Sequence, residues 1–146
     1  MGLDNLVGIS LERIAVDAGA TSRLVSAATR NIADASVAQI SAENQFDAAY
    51  KAIMQLANAA LQACGYRTLT SKPGHHMTMI QSLGQTIGVD NRTIIALDAL
   101  RKQRNVADYS GDIIPPSLVK EFLMQAETLL VIVKQWLANR PDLLQP

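Results

Sequence analysis

The sequence predicts an all-α fold, an antiparallel bundle of four to five helices, on three observations. Aliphatic residues recur every three to four positions along most of the 146-residue chain. Capping-type residues, glycines and prolines break those runs at helical lengths. No stretch alternates apolar and polar residues convincingly as a half-buried strand does. Hydrophobic residues make up 49% of the chain and charged residues 18%, a globular composition long enough to bury a core without metals or disulfides. A single domain over 1–146 is the simplest organisation, with its core over about 20–140 and a short N-terminal helix or extension over 1–19.

The elements follow in order. A short first helix is expected over about Leu3 to Ile14, and a second from near Ala20 to Ala35 with Leu24, Ala27, Ala28, Ile32 and Ala35 inside. Ser41 can cap the third, whose stripe is Phe46, Ala49, Tyr50, Ile53, Leu56, Ala57, Ala60 and Leu61, and Gly65 ends it. Tyr66 to Gly74 reads as a loop, and His75 to Leu83 as a shorter helix ended around Gly84 to Gly88. Asp90 or Asn91 caps a helix anchored by Ile94, Ile95, Leu97 and Leu100. Gly111 to Pro116 is a turn. The last helix carries Leu118, Phe122, Ala126, Leu129, Val133, Trp136 and Leu137 on one face and stops at Pro141.

Thirteen basic and thirteen acidic residues cancel, so no global field draws the chain to nucleic acid or membrane, and any such contact needs a local patch. The single Cys64 reads as a small buried hydrophobe; no Cys/His cluster has metal-ligand spacing, and no metal or cofactor is expected. No apolar stretch has membrane-span length, and the first residues lack a basic region followed by a hydrophobic one. The expected location is the cytoplasm, without membrane contact.

The residues that carry chemistry gather in Leu100-Arg101-Lys102-Gln103-Arg104-Asn105-Val106-Ala107-Asp108-Tyr109. Arg101, Arg104, Asn105 and Asp108 are three and four apart, which aligns them on one helix face. Two guanidiniums, an amide and a carboxylate, with the Tyr109 phenol behind them, suit a polar ligand. The plain alternative for Arg104 and Asp108 is an intrahelical ion pair, which contributes only about 0.3–0.5 kcal/mol. Asn105 has no packing reason to sit mid-helix. Arg101 is the better second phosphate contact, whereas Lys102, which with Arg92 and Arg101 forms a modest basic patch, reads as solvated. Asp47, on the polar flank of its helix, could bond to one of these arginines.

His75 and His76 are the only histidines. Adjacent on a helix, they point about 100° apart and do not chelate as a pair. They read either as a helix start with one ring packed and one solvated, or as a source of proton transfer if the short helix lines a cleft.

Phe46-Asp47-Ala48-Ala49-Tyr50-Lys51-Ala52, then Leu61-Gln62-Ala63-Cys64-Gly65-Tyr66, Gly74-His75-His76, the block from Leu100 to Tyr109 and a long terminal helix form an ordered set. In that order they resemble the HEPN superfamily (higher eukaryote and prokaryote nucleotide-binding domains), over roughly residues 20–140. The resemblance implies a homodimer with a cleft between two copies of the polar helix. It also implies an Arg, a polar follower and a His four to six residues on in the active ribonucleases. Arg104 and Asn105 match the first two, and Tyr109 stands where the nearest histidine belongs. A tyrosine with a pKa of about 10 is a poor base at neutral pH, and its plain role is a buried ring bonded near the helix end.

Three readings follow. In the first, the chain binds RNA or nucleotide phosphate through Arg101, Arg104, Asn105 and Asp108, with His75 and His76 also on the ligand, without efficient cleavage, in a toxin–antitoxin type system. Alternatively it is a metal-independent endoribonuclease toxin in which Tyr109, Asp108, His75 or His76 replaces the missing histidine. Or it is the helical partner of a minimal nucleotidyltransferase.

Overall fold

The computed structural model describes residues 2–71, 73–111 and 114–140, without the side chains of 106–110. A 3-10 turn (Leu3–Leu6) leads to β1 (Leu11–Arg13), α1 (Ala18–Ala35), α2 (Ala42–Ala63), β2 (Tyr66–Thr68), α3 (His75–Gln81), α4 (Leu83–Thr86), α5 (Asn91–Ser110) and α6 (Pro116–Ala138). The protein is thus mostly helical with one small two-stranded sheet.

Three of the four long helices begin where a side-chain acceptor meets an orphan amide. Ala20 N–H donates to Asp17 Oδ1 (3.1 Å), Asn44 N–H to Ser41 Oγ (3.2 Å), and Thr93 N–H to Asp90 Oδ1 (2.9 Å). Pro115 and Pro116 start α6, where a missing N–H costs nothing. Gly65, at φ +89°, takes the left-handed position just past α2. The expected stop at Pro141 lies outside the described residues.

Helix α2 is the centre of the fold, packed by α1 on one side and α6 on the other. Its stripe carries Ala49, Ala52, Ala57 and Ala60, all buried. Such small side chains let neighbouring helices approach closely. The larger volume comes from Phe46 and Phe122, whose rings lie 4.1 Å apart. Phe122, Ala126, Leu129, Val133 and Leu137 form the buried face of α6, and Leu118 and Trp136 flank it partly covered. Helix α5 packs mainly against α3 and α4.

Five expectations are corrected. The first helix over Leu3 to Ile14 is instead a 3-10 turn and a strand, because Gly8 adopts φ +85° and ends the helical path. The loop expected from Tyr66 begins as β2, which pairs antiparallel with β1 in the register Leu11↔Thr68, Glu12↔Arg67, Arg13↔Tyr66. Leu11 is fully buried with Leu3 and Leu61, so this small sheet packs against the end of α2. In α1 the inner face uses Ala18, Thr21, Ala28, Ile32 and Ala35, and leaves Leu24 and Ala27 half-covered. On α5, Leu97 and Leu100 are buried and Ile94 packs partly against the core, but Ile95 is 61% exposed. Cys64 is half-buried with its thiol pKa raised, chiefly by burial.

Candidate functional site

The site is assembled from three helices. On α2, Asp47, Tyr50, Lys51 and Met54 fall at i, i+3, i+4 and i+7, which puts them on one side of the helix. Gly74, at φ +79°, turns the chain into α3 so that His76 and Met79 face that side. Helix α5 brings Arg104 across it. Between them lies a pocket of about 450 Å³, completed by Gln55 and Asn58.

Tyr50 is the pivot. Its ring is buried against Phe122 with centroids 6.3 Å apart, and the residue lines the pocket. Its hydroxyl lies 3.0 Å from His76 Nδ1. The guanidinium carbon of Arg104 stands 4.8 Å from the Tyr50 ring centroid, a cation–π contact. Arg104 Nε is 3.7 Å from Asp47 Oδ1, the arginine contact expected of Asp47. A guanidinium, an imidazole, a phenol and a carboxylate therefore converge on one opening, with Lys51 beside them.

The bond to Tyr50 occupies Nδ1 of His76 and leaves Nε2 for a ligand. Partial burial lowers the His76 pKa below the ordinary imidazole value, and the charges of His75, Arg104 and Arg101 push it further down. The ring is consequently neutral near pH 7. An anion between His76 and Arg104 would offset the cationic field and favour the protonated ring, so anion binding and proton uptake are coupled here.

The expected site residues fare differently. Arg104 and His76 are brought together. His75 is half-buried and lies edge-on to His76, with centroids 4.6 Å apart, so the two rings do not divide into one packed and one solvated. Arg101 turns to Asp98 at 2.8 Å and does not line the pocket. Lys102 approaches the same carboxylate at 3.4 Å. Burial alone would raise the Asp98 pKa, but the bond and charge of Arg101, then Lys102, hold it below the usual carboxylate value. Asn105 is exposed. The side chains of Asp108 and Tyr109 lie outside the described residues, and with them the Arg104–Asp108 pair. No known family model, curated protein or solved structure matches the chain.

Sequence reasoning passed over Tyr50, Lys51, Gln55 and Asn58 as site residues. Tyr50 has the position of a core residue, and only its hydroxyl departs from the stripe. Asp47 one turn before it and Lys51 just after were the available signal. Among the described residues no group of three or more His, Cys, Asp or Glu side chains is placed to hold a metal ion, and no helix is long and apolar enough to cross a membrane.

Proposed function

We propose that the chain is a HEPN-like helical domain that binds RNA or nucleotide phosphate in the pocket between α2, α3 and α5. The convergence of Arg104 and His76 on the Tyr50 side chain carries this reading. Arginine presents a planar fork that matches two phosphate oxygens, and His76 Nε2–H adds a donor from the other side. Asp47 tempers the charge, so the site suits a ligand that brings its own hydrogen-bond donors as well as an anion. As in the superfamily it resembles, the chain acts as a homodimer whose polar helices face each other. Titration with short RNA and nucleotides tests this: saturable binding that is lost in Arg104→Ala supports it, and equal binding by that variant overturns it.

A second reading, a metal-independent ribonuclease, gains support from the same contact. His76 stands beside Arg104, where the chain has Tyr109 in place of the expected motif histidine. In the tautomer whose Nδ1–H donates to the Tyr50 hydroxyl, Nε2 of the neutral ring can take the proton of a 2′-hydroxyl as its oxygen attacks the adjacent phosphorus, and the 5′-oxygen leaves with a proton from solvent, giving a 2′,3′-cyclic phosphate. Cleavage of RNA in excess EDTA, abolished in both Arg104→Ala and His76→Ala, would establish this reading. Binding without cleavage leaves the first.

A further inference from the structure

A second hollow of about 390 Å³ lies between the end of α1 and the start of α2. Asp47 and Lys51 line both, so the two spaces share a wall one helical turn long. The chemistry changes across that wall. The first hollow presents Arg104 and His76; the second presents the carboxylates of Asp34 and Asp47, the amides of Asn31 and Asn44, and an aliphatic side formed by Val37 and Ile40. This is a poor place for a phosphate and a good one for a flat ring that donates hydrogen bonds from its edge.

Two further observations indicate that the hollow is built. The loop that forms its rim is pinned: Gln45 Nε2–H donates to the Val37 carbonyl at 2.8 Å, and Asn44 N–H donates to Ser41 Oγ at 3.2 Å. Asn31, which lines the hollow, donates Nδ2–H to Gln55 Oε1 at 2.8 Å and ties α1 to α2. Asp34, moreover, is the penultimate residue of α1, where the negative end of the helix dipole disfavours a carboxylate. Among the described residues it has no ion-pair partner. Its carboxylate is exposed at the edge of the hollow, where it can accept from a donor on a ligand.

We propose that this α1–α2 hollow is a nucleobase subsite that selects bases with an exocyclic amine and serves the same ligand whose phosphate sits between Arg104 and His76. The inference rests on the phosphate-binding reading above. Val37 and Ile40 cover one face of the ring, Asp34 and Asp47 accept from the amine, and Lys51 stands at the junction between base and phosphate. Cytosine and adenine present an amine to these carboxylates. Uracil presents carbonyl oxygens on both sides of its one ring N–H, which the carboxylates repel.

The test is calorimetric titration of the full chain with ribose 5-phosphate, CMP, UMP and AMP, repeated on Asp34→Ala. CMP and AMP are expected to bind about tenfold or more tightly than UMP, the discrimination of a charge-assisted hydrogen bond. In Asp34→Ala the CMP and UMP affinities should converge while ribose 5-phosphate binds as before. Asp34 is exposed and makes no tertiary bond in the structure, so the variant is expected to fold, and a circular dichroism melt checks this. Equal wild-type affinities for CMP, UMP and ribose 5-phosphate would overturn the base subsite and leave the phosphate site standing. A base preference that survives Asp34→Ala overturns the role of the hollow. No binding of any of the four overturns both readings.

Discussion

The Tyr50 hydroxyl lies 3.0 Å from His76 Nδ1, and this single bond joins the buried central helix α2 to the short helix α3. Tyr50 belongs to the core, being 4% exposed, and it also lines the pocket. Tyr50→Phe keeps the packing and removes the bond. It should cost about 1 kcal/mol in stability, as one half-buried hydrogen bond does. Phosphate affinity should fall as well, because the imidazole is no longer held with Nε2 toward the opening. Chemical denaturation alongside phosphate titration checks both; wild-type affinity in Tyr50→Phe would show that His76 needs no such support.

The proposed phosphate contact of Arg104 depends on shape as well as charge. Its guanidinium is placed over the Tyr50 ring and beside Asp47. Arg104→Ala should weaken binding of a nucleotide phosphate by about 10- to 100-fold, the range of a charge-assisted bond. Arg104→Lys should recover only a minor part, since an ammonium has neither the planar fork nor the same stacking on tyrosine. Titration of the two variants side by side separates geometry from charge, and full recovery by lysine would count against a bidentate contact.

The helices were legible in the sequence because their signals are local. Helix α2 carries an uninterrupted stripe between the Ser41 cap and Gly65, and both termini fall where these residues place them. The sheet was not legible. Leu11-Glu12-Arg13 and Tyr66-Arg67-Thr68 are each three residues long, too short to show alternation. Their partnership, fastened by the Arg67–Glu12 ion pair across 55 positions, is set by the fold and not by neighbours. Leu3, Leu6 and Leu11 also mimic helical spacing, and only Gly8 marks the break. The site was legible in half. Its polar helix was visible as a block, but a pocket made from three helices depends on which faces meet. Hence Arg104 is at the opening and Arg101, one turn earlier, is occupied by Asp98. The role of Tyr50 was concealed by its place in an apolar stripe.

The β1–β2 sheet should contribute to the stability of the whole domain. Leu11 is fully buried between Leu3 and Leu61, the latter on α2. Leu11→Ala should cost about 2–5 kcal/mol, the range for deleting a buried leucine side chain. Exposed Ile9, two residues before it and 64% accessible, serves as the control: Ile9→Ala should change stability by less than about 0.5 kcal/mol. Urea unfolding of both variants measures the contrast. Similar small losses would mean that the sheet is detached from the cooperative core.

The lowered pKa of His76 gives stability and binding opposite responses to acid. Partial burial first, then the charges of His75, Arg104 and Arg101, disfavour the imidazolium in the folded chain. As pH falls past about 6.5, the ordinary imidazole value, the unfolded chain takes up this proton before the folded one does. Unfolding then binds more protons, so the His76 contribution lowers stability progressively between that value and the depressed folded pKa. Melting at pH 7.5 and 5.5 should show this loss, and His76→Gln should diminish it. A bound phosphate reverses the local field. It raises the His76 pKa, so nucleotide binding should tighten over the same acid range and should draw protons from the buffer. Calorimetry in two buffers of different ionisation heat measures that uptake, and binding with no proton uptake at pH 6 would remove His76 from the phosphate contact.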